Sequence, residues 1–144
     1  MTITQQSTPA VDSSNIEHTD LLRKIFAQQR GLMEKYHELE EVNGSPVLYT
    51  EEEGDLDNRK VQARLHELFG YMVREMAEGM QELKLKPWKR TEIKTDVPAF
   101  ISEVGDVFHF FVEFCITAGI SADDLAKAYA REHVKNHARV GGTY

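Results

Sequence analysis

A chain of 144 residues has room for one hydrophobic core and not for two, which argues for a single domain and against a modular protein. Its net charge of -7 and pI near 5.4 argue against a nonspecific grip on nucleic acid, but permit a local basic pocket for the phosphates of a nucleotide. One cysteine, Cys115, excludes an intrachain disulfide framework, and no stretch reaches the roughly 20 apolar residues of a membrane span. With no basic and apolar leader at the start, a cytoplasmic protein without a membrane segment is expected.

Residues 1–17 are rich in Ser, Thr and Gln without a sustained apolar period, and are expected to form a mobile tail preceding one domain over 18–144. From Asp20 the pattern becomes helical, with Leu22, Ile25, Phe26, Leu32, Met33, Tyr36 and Leu39 in phase and Thr19 or Asp20 placed to cap the start. Val42–Gly44 ends this helix, and "SPVLYTEEEGDLDN" reads as a loop because it holds Pro46, Gly54 and five acids. A second helix is expected from near Asp57 to about Leu85, with Val61, Leu65, Phe69, Met72, Met76, Met80 and Leu83 as its core stripe and Pro87 as its stop. Thr95 or Asp96 can cap a third, with Pro98 in its first turn. Its apolar face carries Phe100, Val104, Val107, Phe108, Phe111 and Cys115, and Gly119 closes it. Ser121 with Asp124 three residues on has the form of a capping box, opening a fourth helix to about Arg139. No strand pattern intervenes, so the fold class is all-α with four helices.

Two acidic pairs stand out on these helices. Acids are one sixth of the chain, so about four acid-x-x-acid pairs arise by chance, and Glu38 with Glu41 and Glu52 with Asp55 are two of them. Placement says more than spacing. At about 100° per residue Glu75, Glu78 and Glu82 share a strip bordering the core stripe of the second helix, and Glu103 and Asp106 share the equivalent strip of the third. Two unit charges about 5 Å apart repel by about 3 kcal/mol at an effective dielectric of 20, so converging carboxylates call for cations. An all-oxygen set suits Mg²⁺, or Mn²⁺. The plainer alternative is that these acids are solvated helix faces.

Asp106 and His109 make a single acid-x-x-His pair, half of what a di-iron helical bundle needs, so His109 reads as a satisfied, semi-buried histidine. Lys86, Trp88 and Lys89 follow the second helix, where they serve either as phosphate ligands or as helix-terminal charges with an aromatic lid. Gln29 occupies a core-stripe position, and its amide must either read a polar ligand edge or be satisfied internally.

As an ordered set, Glu75-x-x-Glu78, "KPWK" at 86–89 and Glu103-x-x-Asp106 resemble the all-α NTP pyrophosphatase superfamily, which includes dimeric dUTPases, MazG proteins and the phage dCTP pyrophosphatases. "GISADDLAKAY" and the ending "NHARVGGTY" are also similar to the dUTPase and dCTPase branch. The resemblance spans about Asp20 to Tyr144 and implies a four-helix MazG-like or dimeric-dUTPase-like bundle. It implies that Glu75, Glu78, Glu103 and Asp106 bind Mg²⁺, that Glu75 or Glu78 orients the attacking water, and that Lys86, Trp88 and Lys89 line the substrate site. Gln29 in "QRGL" corresponds to a base-recognising glutamine. Tyr129, Asn136 and Arg139 match a nucleotide-contacting pattern. Where that pattern has Lys-Asn this chain has Glu132-His133, with Arg131 one position earlier as a substitute phosphate ligand.

The implied reaction is hydrolysis of a deoxynucleoside triphosphate, dUTP or dCTP, to the monophosphate and pyrophosphate. The implied setting is nucleotide-pool control, in a host cytoplasm if the chain is phage-encoded. A homodimer or dimer of dimers is implied as well, in keeping with Met and Phe stripes too numerous for one small core. Glu132-His133 leaves a purine-directed MazG-like enzyme as the near alternative, and a noncatalytic helical interaction module as the distant one.

Overall fold

The computed structural model describes residues 13–84, 86–89 and 93–142, with side chains from Asp20 onward within the first helix. Four α-helices follow in order: α1 (Ser13–Asn43), α2 (Arg59–Glu82), α3 (Val97–Thr117) and α4 (Ala122–Val140), with a 3-10 turn at Thr50–Glu52 and no strand among the described residues. The protein is therefore all-α. No described helix is long and apolar enough to cross a membrane.

Local chemistry sets most of the ends. Asn58 caps α2 by accepting from the Lys60 amide at 2.9 Å, and Asp96 caps α3 by accepting from Ala99 at 3.1 Å, with proline in the first turn. Ser121 and Asp124 form the expected reciprocal box at the start of α4. Gly119 takes φ +74° after α3, where a Cβ would lie 2.7 Å from Gly54 Cα; Gly54 in turn donates its amide to the Thr117 carbonyl at 3.0 Å.

Three expected boundaries shift. Helix α1 opens at Ser13, not Asp20, because Ser13–Thr19 contains neither proline nor glycine and its polar residues do not interrupt a helix; residues 1–12 of the expected tail lie outside the description. Helix α2 starts two residues after Asp57, which leaves Asn58 as the cap. It ends at Glu82, before Pro87 can act, because Lys84 turns left-handed at φ 56°. The chain then folds back: Thr95 Oγ1 donates to the Leu83 carbonyl at 3.1 Å and the Asp96 amide to that of Glu82 at 3.2 Å, closing the exposed end of α2 with the entry to α3.

Helices α2 and α3 run antiparallel, as the descending and ascending contacts show: Arg64 with Glu113, Tyr71 with Phe110 at 5.1 Å, and Gly79 against Glu103 and Phe100. The buried seam of α2 is Val61, Leu68 and Gly79, with Leu65, Met72 and Glu75 half-buried between them. That is a 4-3 alternation, the repeat by which one helix keeps a straight seam against another. The expected stripe ran in 4-4-3 steps, so Val61, Leu65 and Met72 fall in the seam but Phe69, Met76 and Met80 are exposed. The same correction holds on α3, where Phe100 and Val107 are half-buried and Cys115 is buried as expected, but Val104, Phe108 and Phe111 face outward. Helix α1 lies on the other side of α3, joining Phe26 and Met33 to Val112, Cys115, Ile116 and Ala122 in the core, with Leu22, Ile25 and Leu125 packed around them. Tyr36 and Leu39, further along α1, are exposed.

Candidate functional site

The acidic strips of α2 and α3 do converge. Glu75 and Glu103 occupy the seam and Asp106 its α1-facing edge, and one carboxylate oxygen of each lies within 4.8 Å of the others. Gly79 makes the approach possible, since a Cβ there would meet Glu103 Cβ at 3.3 Å. Glu78 is exposed and outside that trio, yet its charge is felt. Partial burial, then Glu78, Glu75 and Asp106, push the Glu103 carboxyl above its ordinary range. Oxygens around an octahedral Mg²⁺ sit about 3 to 4.2 Å apart, close to the spacing of this trio, and an all-carboxylate donor set has the chemistry that a hard cation takes. Glu82, on the same strip, is occupied by Lys84 at 2.8 Å.

Beside the acids lies a cleft of 270 Å³ whose walls include Gln29, Tyr36, Glu75, Asp106, His109 and Glu113. Gln29 is 4% exposed and is satisfied internally: its amide NH₂ donates to Glu113 at 3.3 Å. A carboxylate can only accept there, so the amide oxygen faces His109, whose Nδ1 lies 2.8 Å away and donates. His109 is thus satisfied as expected, though by a residue 80 positions away and on an exposed rather than semi-buried part of α3.

Glu113 was not singled out in the sequence, although an acid inside the apolar run "FFVEFCI" is itself a signal that a partner must exist. Its side chain is buried and bonded to Arg64 at 3.0 Å; Arg64 also reaches Glu67 at 2.6 Å and Glu40 at 3.4 Å. Burial pushes the Glu113 carboxyl up, against the lowering influence of Arg64. This ion network floors a second, larger cleft of 710 Å³ that shares Tyr36, Phe110 and Glu113 with the first.

The other expected site residues stay apart from the acids. Lys86, Trp88 and Lys89 form an exposed turn, closed by the Lys89 amide on the Lys86 carbonyl at 2.9 Å, and among the described residues no hydrogen bond or ion pair joins them to the trio. Tyr129, Arg131, Asn136 and Arg139 are exposed on α4. There Tyr129 stacks on His133 at 5.8 Å, Arg139 donates to Asn136 at 3.3 Å, and Glu132 pairs with Lys135 at 2.6 Å.

What fold and site define together is an all-α protein with a carboxylate trio at the mouth of a small polar-walled cleft. Compared with the models of known protein families, with curated proteins and with solved structures, the chain matches none.

Proposed function

We propose that this chain is a Mg²⁺-dependent nucleoside triphosphate pyrophosphohydrolase acting on dUTP or dCTP, built as an oligomeric four-helix bundle of the MazG-like kind. The observation that carries the reading is the trio Glu75, Glu103 and Asp106 with ligand atoms within 4.8 Å of one another, opening onto a cleft that Glu75 and Asp106 also line. Glu75, Glu103 and Asp106 hold the ion, which when bound neutralises phosphate charge and acidifies a water. Glu78, exposed at the rim beside Glu103, takes the proton of the attacking water. In the cleft, Gln29 is held in one orientation by Glu113 and His109 and presents a fixed polar edge beside the base. Lys86, Trp88, Lys89, Tyr129, Arg131, Asn136 and Arg139 supply the outer substrate contacts in the assembled enzyme.

The test is pyrophosphate release with Mg²⁺ across the four dNTPs and dUTP. Turnover of dUTP or dCTP that falls at least about 100-fold in Glu78→Ala supports the reading. Rapid dGTP or dATP turnover beside little of dUTP and dCTP replaces it with a purine-directed enzyme. No turnover of any nucleotide, with no Mg²⁺-dependent gain in melting temperature, replaces it with a noncatalytic module.

A further inference from the structure

Helix α4 carries a pair of histidines that the proposed chemistry does not use. His133 and His137 are one helical turn apart, so their side chains rise from the same face one above the other. Both are exposed, and their ring centres lie 4.6 Å apart with the planes at 67°. Among the described residues neither imidazole takes a hydrogen bond or an ion pair. The two rings meet each other, and His133 also lies against the ring of Tyr129 at 5.8 Å, nearly parallel to it. Their ring nitrogens therefore have no protein partner.

The spacing of the rings is what a shared metal ion requires. Imidazole binds Zn²⁺ through a nitrogen at about 2.0 to 2.1 Å, which sets each ring centre about 3.2 Å from the ion. Two such rings are about 5.2 Å apart at a tetrahedral angle and about 4.5 Å apart at a right angle. The observed 4.6 Å falls between those limits. Nothing charged competes for the place. At about 100° per residue Arg131, Lys135 and Arg139 stand at least about 120° round the axis from either histidine, which leaves this face free of their charge. His137 lies in the last turn, where the negative end of the helix dipole favours a cation. Packing does not account for the pair, since neither ring belongs to the core.

We infer that His133 and His137 form a two-nitrogen site for a divalent transition-metal ion of the Zn²⁺ class, separate from the carboxylates of α2 and α3. The donor sets divide the ions between the two places. Imidazole suits Zn²⁺, Ni²⁺ or Cu²⁺ and takes Mg²⁺ poorly, whereas the all-oxygen trio suits the hard ion. With two protein ligands the ion keeps at least two positions open, which water or an anionic oxygen, such as one of phosphate, fills. Bound there, it ties together one turn of α4 near its end. The inference rests on the geometry of the pair and stands whether or not the chain hydrolyses nucleotides.

Calorimetric titration of the full chain with Zn²⁺, in an excess of Mg²⁺ that occupies the acids, tests it. The wild type is expected to bind a Zn²⁺ ion that Mg²⁺ does not displace and for which Ni²⁺ competes. His133→Ala and His137→Ala should each weaken it at least about tenfold. His66→Ala, at an exposed histidine of α2 with no second histidine a turn away, should leave it unchanged, as should Glu103→Gln. Cu²⁺ bound in the same place should show two nitrogen ligands in electron paramagnetic resonance, and one after either histidine substitution. Should an alanine variant lose its helical circular dichroism, His133→Gln and His137→Gln give the same comparison with a polar side chain kept. Zn²⁺ that binds no more tightly than Mg²⁺ overturns the inference. So does Zn²⁺ binding that both histidine substitutions leave unweakened. None of these readings involves nucleotide turnover, so their failure is distinguishable from failure of the proposed activity.

Discussion

Glu113→Ala and Glu113→Gln separate packing from polar contacts at the most deeply buried acid among the described residues, which is 2% exposed. Alanine removes one buried methylene, worth about 0.8 kcal/mol, together with the carboxylate. It also strips an acceptor from Gln29 and from Arg64, a loss of about 1 to 3 kcal/mol for the stranded donors. Arg64 keeps Glu67 and Glu40, and relief of a buried charge offsets part of the loss, so Glu113→Ala should destabilise by about 1 to 3 kcal/mol. Glutamine keeps the shape but puts an NH₂ donor where one acceptor was, so only one of Gln29 and Arg64 keeps its bond. Burial raises the folded-state pKa of Glu113 above its ordinary 4.5, so the folded protein holds this proton better than the unfolded chain does. The stability linked to it is complete below the unfolded value and is lost as pH rises through the folded one. At pH 7 the ionised side chain is therefore a liability that offsets part of the lost bond, so Glu113→Gln should cost less than Glu113→Ala, and its deficit against the wild type should grow on acidification toward pH 4.5. Urea unfolding followed by far-ultraviolet circular dichroism, at one protein concentration and at pH 7 and 5, measures all of this. An alanine variant with the wild-type midpoint, or a glutamine variant as weak as alanine at pH 7, would refute the reasoning.

Glu103→Gln removes one charge from the acidic trio, so it should raise the melting temperature of the metal-free protein at pH 7 and abolish the gain on adding Mg²⁺, read by thermal scans with and without the ion. Gly119→Ala forces a side chain into a left-handed residue and onto Gly54, and should cost at least about 2 kcal/mol in denaturant unfolding. By contrast Gly31→Ala, in α1 with nothing within 4 Å of the new methyl, should stabilise by about 1 kcal/mol in the same assay. Ser121→Ala breaks the box that opens α4 and should lower stability by about 1 kcal/mol; an unchanged melting curve would show that α4 is held by packing alone.

Four helices, and the caps at Asp96 and Ser121, were legible because capping, proline placement and glycine turns act between residues three or four apart. So was the placing of Glu75, Glu78, Glu103 and Asp106 on strips beside the core, since a fixed 100° per residue sets each acid on its helix; that three of them converge was decided by how α2 and α3 pack. The ends at Asp57, Leu85 and Asp20 were less so. A helix stops where its last carbonyls find partners, and those of α2 are met by Thr95 and Asp96 arriving from beyond the turn.

Tertiary structure alone decided which apolar residues are core. Met72 and Met76 are equally apolar and four residues apart on α2, yet one is half-buried in the seam with α3 and the other faces outward, because the orientation of a neighbouring helix is written in no single helix. Gln29 makes the same point for the site. The sequence by itself required only that a core amide be satisfied; its partners His109 and Glu113 lie 80 and 84 positions away, and no local rule connects them. Local interactions determine where helices begin and what each face carries, but which face meets which is settled by burial summed over the whole chain.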